Sequence, residues 1–164
     1  MPSNIARHHG GATLLITFIC AFLLQILPLP EWAQQLRPDW VTLTLIYWCI
    51  ALPERVGVGI GWLVGLMLDV AYGALLGQNA LALAVVAYLA LRLHQRIRLF
   101  PLWQQAVSAL LLVTLHLMLV LWIKGAAEQS AETWAYWLPA LTSMLIWPLV
   151  FMVLRGLRRG YRVR

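Results

Sequence analysis

Long apolar runs, interrupted by prolines and arginines, constrain this chain more than any other feature. Several uncharged runs approach the roughly 20 residues that an α-helix needs to cross a bilayer. Only 11% of the 164 residues are charged, whereas about a quarter is usual in a soluble domain. We therefore predict a single all-α, polytopic membrane domain spanning residues 1–164, with no polar stretch long enough to add a soluble domain.

The ends of the apolar runs predict six transmembrane helices. Pro28 and Pro30 end the first run, because proline lacks a backbone donor and restricts the residue before it. The second run has only 13 uncharged residues before Pro53, which cover about 20 Å of a ~30 Å hydrocarbon core. The predicted helices span about residues 11–27, 40–52, 56–76, 80–91, 102–123 and 134–154.

The distribution of basic residues predicts that both termini are cytoplasmic. Six spans return the chain to the side of the membrane on which it starts, and the cytoplasmic loops of membrane proteins carry an excess of Lys and Arg. The opposite side carries only Arg37 and Lys124. The arginines on the side of the termini are Arg7, Arg55, Arg92, Arg96, Arg98, Arg155, Arg158, Arg159, Arg162 and Arg164. Because they flank apolar runs, we expect no nucleic-acid partner, although the basic C-terminal tail is suited to anionic lipids.

A ridge of small residues marks the third predicted helix. Residues four apart on a helix are surface neighbours, and such small-residue ridges let transmembrane helices approach closely. The turn before this helix contains Pro53 and Arg55. The ridge consists of Gly57, Gly61, Gly65, Asp69 and Gly73. We interpret these positions as a contact with another helix, either of this chain or of a partner.

Asp69 is the acidic residue that an apolar helix would least tolerate. Insertion of an aspartate at the centre of a transmembrane helix costs about 2.5–3.5 kcal/mol. It could bind a substrate, carry a proton, contact another subunit, or form hydrogen bonds within the protein. We favour a structural or assembly role, because the rest of the chain offers little chemistry.

Catalytic and metal-binding patterns are absent from the sequence. It contains no HExxH, GxSxG or Walker-type loop. His116 lies in an apolar run, and Cys20 and Cys49 lie in two others without a CxxC pair. A metal site normally needs three or four ligands. We therefore predict no cofactor, no metal and no enzymatic activity, and interpret His116 as a packed, hydrogen-bonded residue.

Three motifs in chain order resemble the MreD family of rod shape-determining membrane proteins, in its proteobacterial form. The first is Arg37-Pro38-Asp39-Trp40, and the second is the segment LPERVG at residues 52–57. The third is the glycine-spaced run around Asp69, from Gly61 to Leu81. The pair Trp147-Pro148 and the segment LWQQ at residues 102–105 also fit.

This resemblance implies a multi-pass protein of the bacterial cytoplasmic (inner) membrane that acts as a scaffold or regulator of the elongasome, the machinery of lateral-wall peptidoglycan synthesis. The implied partners are MreC, as a direct contact, and RodA with its class B penicillin-binding transpeptidase and MreB, through the complex. The implied fold is similar to the six-helix substrate-binding components of vitamin transporters.

Two alternatives remain at this stage. A small transporter-like or ligand-binding membrane subunit would use a cavity near Asp69. An intramembrane enzyme would need a second reactive group beside Asp69, and His116 is the candidate.

Overall fold

A computed structural model describes residues 5–127 and 134–160, and in these ranges the chain forms helices and short connections with no strand. The all-α prediction is confirmed. Arg162 and Arg164 of the basic tail lie outside the described residues. The helices are α1 (Ile5–Ile26), α2 (Glu31–Gln34), α3 (Trp40–Ala51), α4 (Val58–Tyr72), α5 (Gln78–Leu99), α6 (Leu102–Ala126), a 3-10 turn (Trp134–Trp137) and α7 (Leu138–Gly160).

Several helix ends differ from the predicted ones. α5 continues past residue 91 to Leu99, because the arginine-rich segment is made of good helix formers and no proline follows until Pro101. α4 ends at Tyr72 rather than near residue 76, since Gly73 adopts the left-handed conformation that ends helices (φ 63°). α1 begins at Ile5, before residue 11, and α7 continues past residue 154 to Gly160.

The short helix α3 lies in the centre of the protein. Every residue from Val41 to Ala51 is buried, and α3 packs against α1, α5, α6 and α7. A helix that is apolar all round is a core helix. Longer helices thus enclose the short second apolar run of the sequence. The 12 residues of this run that form α3 extend about 18 Å.

Polar side chains cap both ends of α3. At its N-terminus the Asp39 carboxylate accepts from the backbone N–H of Thr42 at 3.4 Å, while the Asp39 N–H donates to Ser143 Oγ at 3.0 Å. At its C-terminus the Arg98 guanidinium of α5 donates to the carbonyls of Ile50 and Ala51, each at 2.8 Å. Helix ends leave backbone groups unpaired, and a cation at a helix C-terminus also complements the helix dipole.

Large apolar side chains cover the outside of the bundle. On α4, Leu63, Met67 and Val70 point away from the core, and Leu145 on α7 is 73% exposed. Three helices are long and apolar enough to cross a membrane, residues 78–99, 102–126 and 134–160, and three shorter helices are apolar. An apolar exterior of this extent indicates contact with lipid, so the chain is a membrane protein.

α4 and α5 pack closely along the glycine ridge. A Cβ atom added at Gly65 would lie 2.4 Å from Ala80 Cα, and one at Gly61 would lie 3.0 Å from Ala87 Cβ and from the Leu83 carbonyl oxygen. Neither position has room for a side chain unless the helices separate. The ridge therefore contacts α5 of the same chain at these two glycines.

Candidate functional site

Asp69, fully buried on α4, caps the N-terminus of α5. Its Oδ2 accepts from the backbone N–H of Gly77 at 2.9 Å and of Ala80 at 3.3 Å. Its Oδ1 accepts from the backbone N–H of Asn79 at 2.8 Å and from Asn79 Nδ2 at 3.0 Å. Gly77 is the N-cap residue of α5 and has no side chain to cap it, so Asp69 performs this role from the neighbouring helix.

A chain of buried polar side chains extends from Asp69 through the centre of the protein. Asn79 Oδ1 lies 3.2 Å from His116 Nε2. His116 Nδ1 lies 2.7 Å from Asp39 Oδ2. The chain thus joins α4, α5, α6 and the start of α3, and it connects the caps of two helices.

These hydrogen bonds define where the protons lie. A carboxylate only accepts, so the bond to Asp69 makes Asn79 Nδ2 the donor and leaves Asn79 Oδ1 as an acceptor. His116 Nε2 must therefore carry a proton, and the 2.7 Å contact between His116 Nδ1 and Asp39 requires another. His116 and Asp39 hold two protons between them and together carry no net charge.

The balance of two effects sets the acidity of Asp39. Burial raises its pKa, but the charge of His116 and the hydrogen bonds from His116 and Thr42 outweigh it. The pKa of Asp39 therefore lies below its usual value. This favours the carboxylate form of Asp39.

A cavity of about 470 Å³, with both polar and apolar residues in its wall, lies against this chain of side chains. The cavity lies at the end of the bundle where α1, α4 and α6 end and where α3, α5 and α7 begin. We call this the distal end. Asp39, Asn79 and His116 lie in the cavity wall. Asp69 is 0% exposed, and Asn79 links it to this wall.

The other predicted site residues take several positions. Gly57 is the N-cap residue of α4 and Gly73 its C-cap residue, and an added Cβ would meet nothing within 4 Å at either. Pro53 and Arg55 lie in the turn between α3 and α4, where the Arg55 N–H donates to the Leu52 carbonyl at 3.1 Å. Of the ridge, Gly61, Gly65 and Asp69 make the close contacts with α5.

Comparison with known proteins decides the family. The family model described as rod shape-determining protein MreD matches residues 7–157. The chain belongs to the MreD family. The rod shape-determining protein MreD of Haemophilus influenzae is 34% identical over 151 residues, which cover 92% of this chain and 93% of that protein. No solved structure matches the chain.

Membership of the MreD family confirms the resemblance that the motifs indicated. It also assigns a role in determining rod shape. Within the described residues, no three His, Cys, Asp or Glu side chains are grouped as metal ligands. The polar chain in this MreD-family protein joins side chains of α4, α5 and α6 and the start of α3 by hydrogen bonds.

Sequence reasoning missed three of the polar groups that organise the MreD-family fold. Arg98 was counted only as a topological charge, yet it caps α3. Asn79 falls between the predicted helices at residues 56–76 and 80–91, yet it joins Asp69 to His116. Arg37 donates to the carbonyls of Gln25 and Leu27 at the end of α1. Each pairs with residues from another part of the chain, which no local spacing reveals.

Proposed function

We propose that this protein is a non-enzymatic membrane scaffold or regulator of the elongasome, which helps MreC and the RodA–transpeptidase complex to build lateral-wall peptidoglycan. The observation that carries the proposal is the match to the MreD family over residues 7–157. MreB would be linked through the complex rather than by direct contact.

The proposal includes six spans in the cytoplasmic membrane with both termini in the cytoplasm. Successive long helices end alternately at the distal end of the bundle and at the opposite end, where α1 begins and α7 ends. We call this opposite end the terminal end, and the alternation supports the proposal. So does the excess of arginine at the terminal end, where the described part of α7 closes with Arg158 and Arg159. The basic tail would add contact with anionic lipids, and the six-helix fold would resemble the vitamin-transporter components.

The buried polar groups support a role without turnover. All four hydrogen bonds that Asp69 accepts come from the start of α5. His116 contacts Asn79 and Asp39, and it reaches Asp69 only through Asn79. An intramembrane enzyme would need Asp69 and His116 as a reactive pair. The side-chain amide of Asn79 lies between them, and their hydrogen bonds are made to helix-capping groups.

A partner helix needs a surface other than the glycine ridge, since α5 covers Gly61 and Gly65. An apolar groove of about 330 Å³ lies between α1 and α7, with Thr44 of α3 among its lining residues. Its α1 wall carries the small residues Thr17, Cys20 and Ala21, a spacing that favours close helix contact. We propose this groove as the contact for the transmembrane helix of MreC.

Site-specific photocrosslinking in cells tests this function. A crosslinker at Leu149 or Val153, which line the groove, is expected to capture MreC. The matched control is Leu111, which is 65% exposed on α6 and lies away from the groove. Equal capture of MreC from the groove and from Leu111 would contradict the proposed surface. Normal rod shape in cells that lack the protein would contradict the function itself.

A further inference from the structure

The charged side chains of the cavity at the distal end are engaged within the protein. The Arg37 guanidinium donates to two backbone carbonyls at the end of α1, and the Lys124 ammonium lies 5.6 Å from the centre of the Tyr136 ring. Asp39 is paired with His116 at 2.7 Å. The capacity of the wall to bind a ligand therefore rests on the polar atoms that these contacts leave unpaired.

Two glutamine side chains in the cavity wall have unused hydrogen-bonding capacity. Gln78, at the start of α5, is 3% exposed, and its Oε1 has no hydrogen-bond partner among the described residues. Gln25, near the end of α1, lines the same cavity, and its buried Oε1 is likewise unpaired within the described part of the chain. A buried polar atom without a partner destabilises a protein, so each of these groups calls for an explanation.

The unpaired atoms indicate the chemistry of a ligand. Both glutamine atoms are amide oxygens, which accept hydrogen bonds, so the ligand has to supply donors. Arg37 Nε, which is buried and has no acceptor in residues 5–127 and 134–160, is a donor. A hydroxyl group both donates and accepts, whereas a carboxylate only accepts and an ammonium group only donates. The wall thus matches an uncharged ligand with several hydroxyl groups.

Tryptophans mark the depth of the cavity. Trp32, Trp122 and Trp134 lie on segments at the distal end, and each is at least 65% exposed. Tryptophans of transmembrane proteins concentrate at the level of the lipid headgroups. Apolar residues, among them Val120 and Pro139, form another part of the wall. The cavity thus lies where headgroups meet acyl chains, and its volume is within the range of roughly 300–1,000 Å³ that is usual for ligand sites.

We propose that this cavity binds an uncharged, sugar-like group with several hydroxyls, as in the headgroup of a neutral glycolipid. Ligand hydroxyls would donate to Gln78 Oε1 and Gln25 Oε1, and a hydroxyl oxygen would accept from Arg37 Nε. The apolar part of the wall would contact the carbon atoms of the ring and the start of the lipid chain. A soluble sugar carries the same hydroxyl groups, and the test separates these two sources.

The test uses the full-length protein purified in a polyoxyethylene detergent, which contains no sugar. Native mass spectrometry and thermal unfolding measure binding of octyl glucoside below its micelle concentration, of methyl glucoside, and of octyl glucoside with all four hydroxyls methylated. The methylated compound keeps the ring and the chain but has no donor. Binding of octyl glucoside alone identifies a lipid site, and binding of methyl glucoside, alone or with octyl glucoside, identifies a site for the sugar itself. Binding of the methylated compound as tight as that of octyl glucoside, or binding of none of the three, overturns the proposal.

Variants of Gln78 separate ligand binding from folding. Gln78→Leu removes the unpaired oxygen, so thermal stability should stay the same or rise while octyl glucoside binds about two- to tenfold more weakly, the effect of one lost hydrogen bond. Gln78→Glu keeps an acceptor oxygen and should retain binding. The matched control is Gln95→Leu, which makes the same change at an exposed position of α5 near the terminal end and should leave binding unchanged.

Gln25→Leu gives a second measurement from a different helix. It should weaken binding to a similar extent, and it leaves the start of α5, which Asp69 caps, untouched. Unchanged binding in both Gln78→Leu and Gln25→Leu would contradict a hydroxyl ligand at these amides. Equal weakening by Gln95→Leu would place the sugar on another surface, and loss of binding in Gln78→Glu as in Gln78→Leu would contradict the acceptor role of this residue.

Discussion

Replacement of Asp69 by asparagine tests whether this residue is a helix cap. Asparagine keeps the shape but offers one acceptor oxygen in place of two, so two of the four donors at the start of α5 lose their acceptor. Each buried donor left unpaired costs about 1–3 kcal/mol, and loss of the charge at the helix N-terminus adds about 0.3–1 kcal/mol. We expect the free energy of unfolding to fall by about 2–7 kcal/mol.

The assay is reversible unfolding of the purified protein in mixed micelles, followed by circular dichroism. Glu54→Gln is the matched control, since Glu54 is an exposed acid in the turn after α3 and such changes usually stay within about 0.5 kcal/mol. If Asp69→Asn is as stable as this control while MreC no longer co-purifies, the carboxylate serves a partner contact and the capping argument is refuted.

Two further changes test the contacts between helices. Gly65→Leu should lower the free energy of unfolding by about 3 kcal/mol or more, because its Cβ would lie 2.4 Å from Ala80 Cα on the α5 backbone. Gly59→Leu, where an added Cβ meets nothing within 4 Å, is the control, and equal unfolding energies would disprove the close approach of α4 and α5. Arg98→Gln should cost about 1–3 kcal/mol, since two hydrogen bonds to the last carbonyls of α3 are lost. Amide exchange at the end of α3 reports this loss, and unchanged protection there would show that the Arg98 cap is dispensable.

Local pattern was enough to predict an all-α membrane protein. The length of each apolar run and the prolines after it specify helices in lipid, because a proline at the end of a run lacks the backbone N–H that would continue the helix. The spacing of Gly61, Gly65 and Asp69 likewise places them on one face, since helical periodicity is a property of the local backbone. Helix ends were less certain, as the continuation of α5 to Leu99 shows.

The sequence by itself thus determined a membrane-embedded bundle in which one helix face consists of glycines and one acidic residue, Asp69. Only the tertiary structure decided that α5 covers this face and that Asp69 caps α5. It also decided that the shortest apolar helix is the central one, with Arg98 at its end, and that Asp39 meets His116. These pairings depend on how helices distant in sequence pack, and the spacing of residues along one helix does not contain that information.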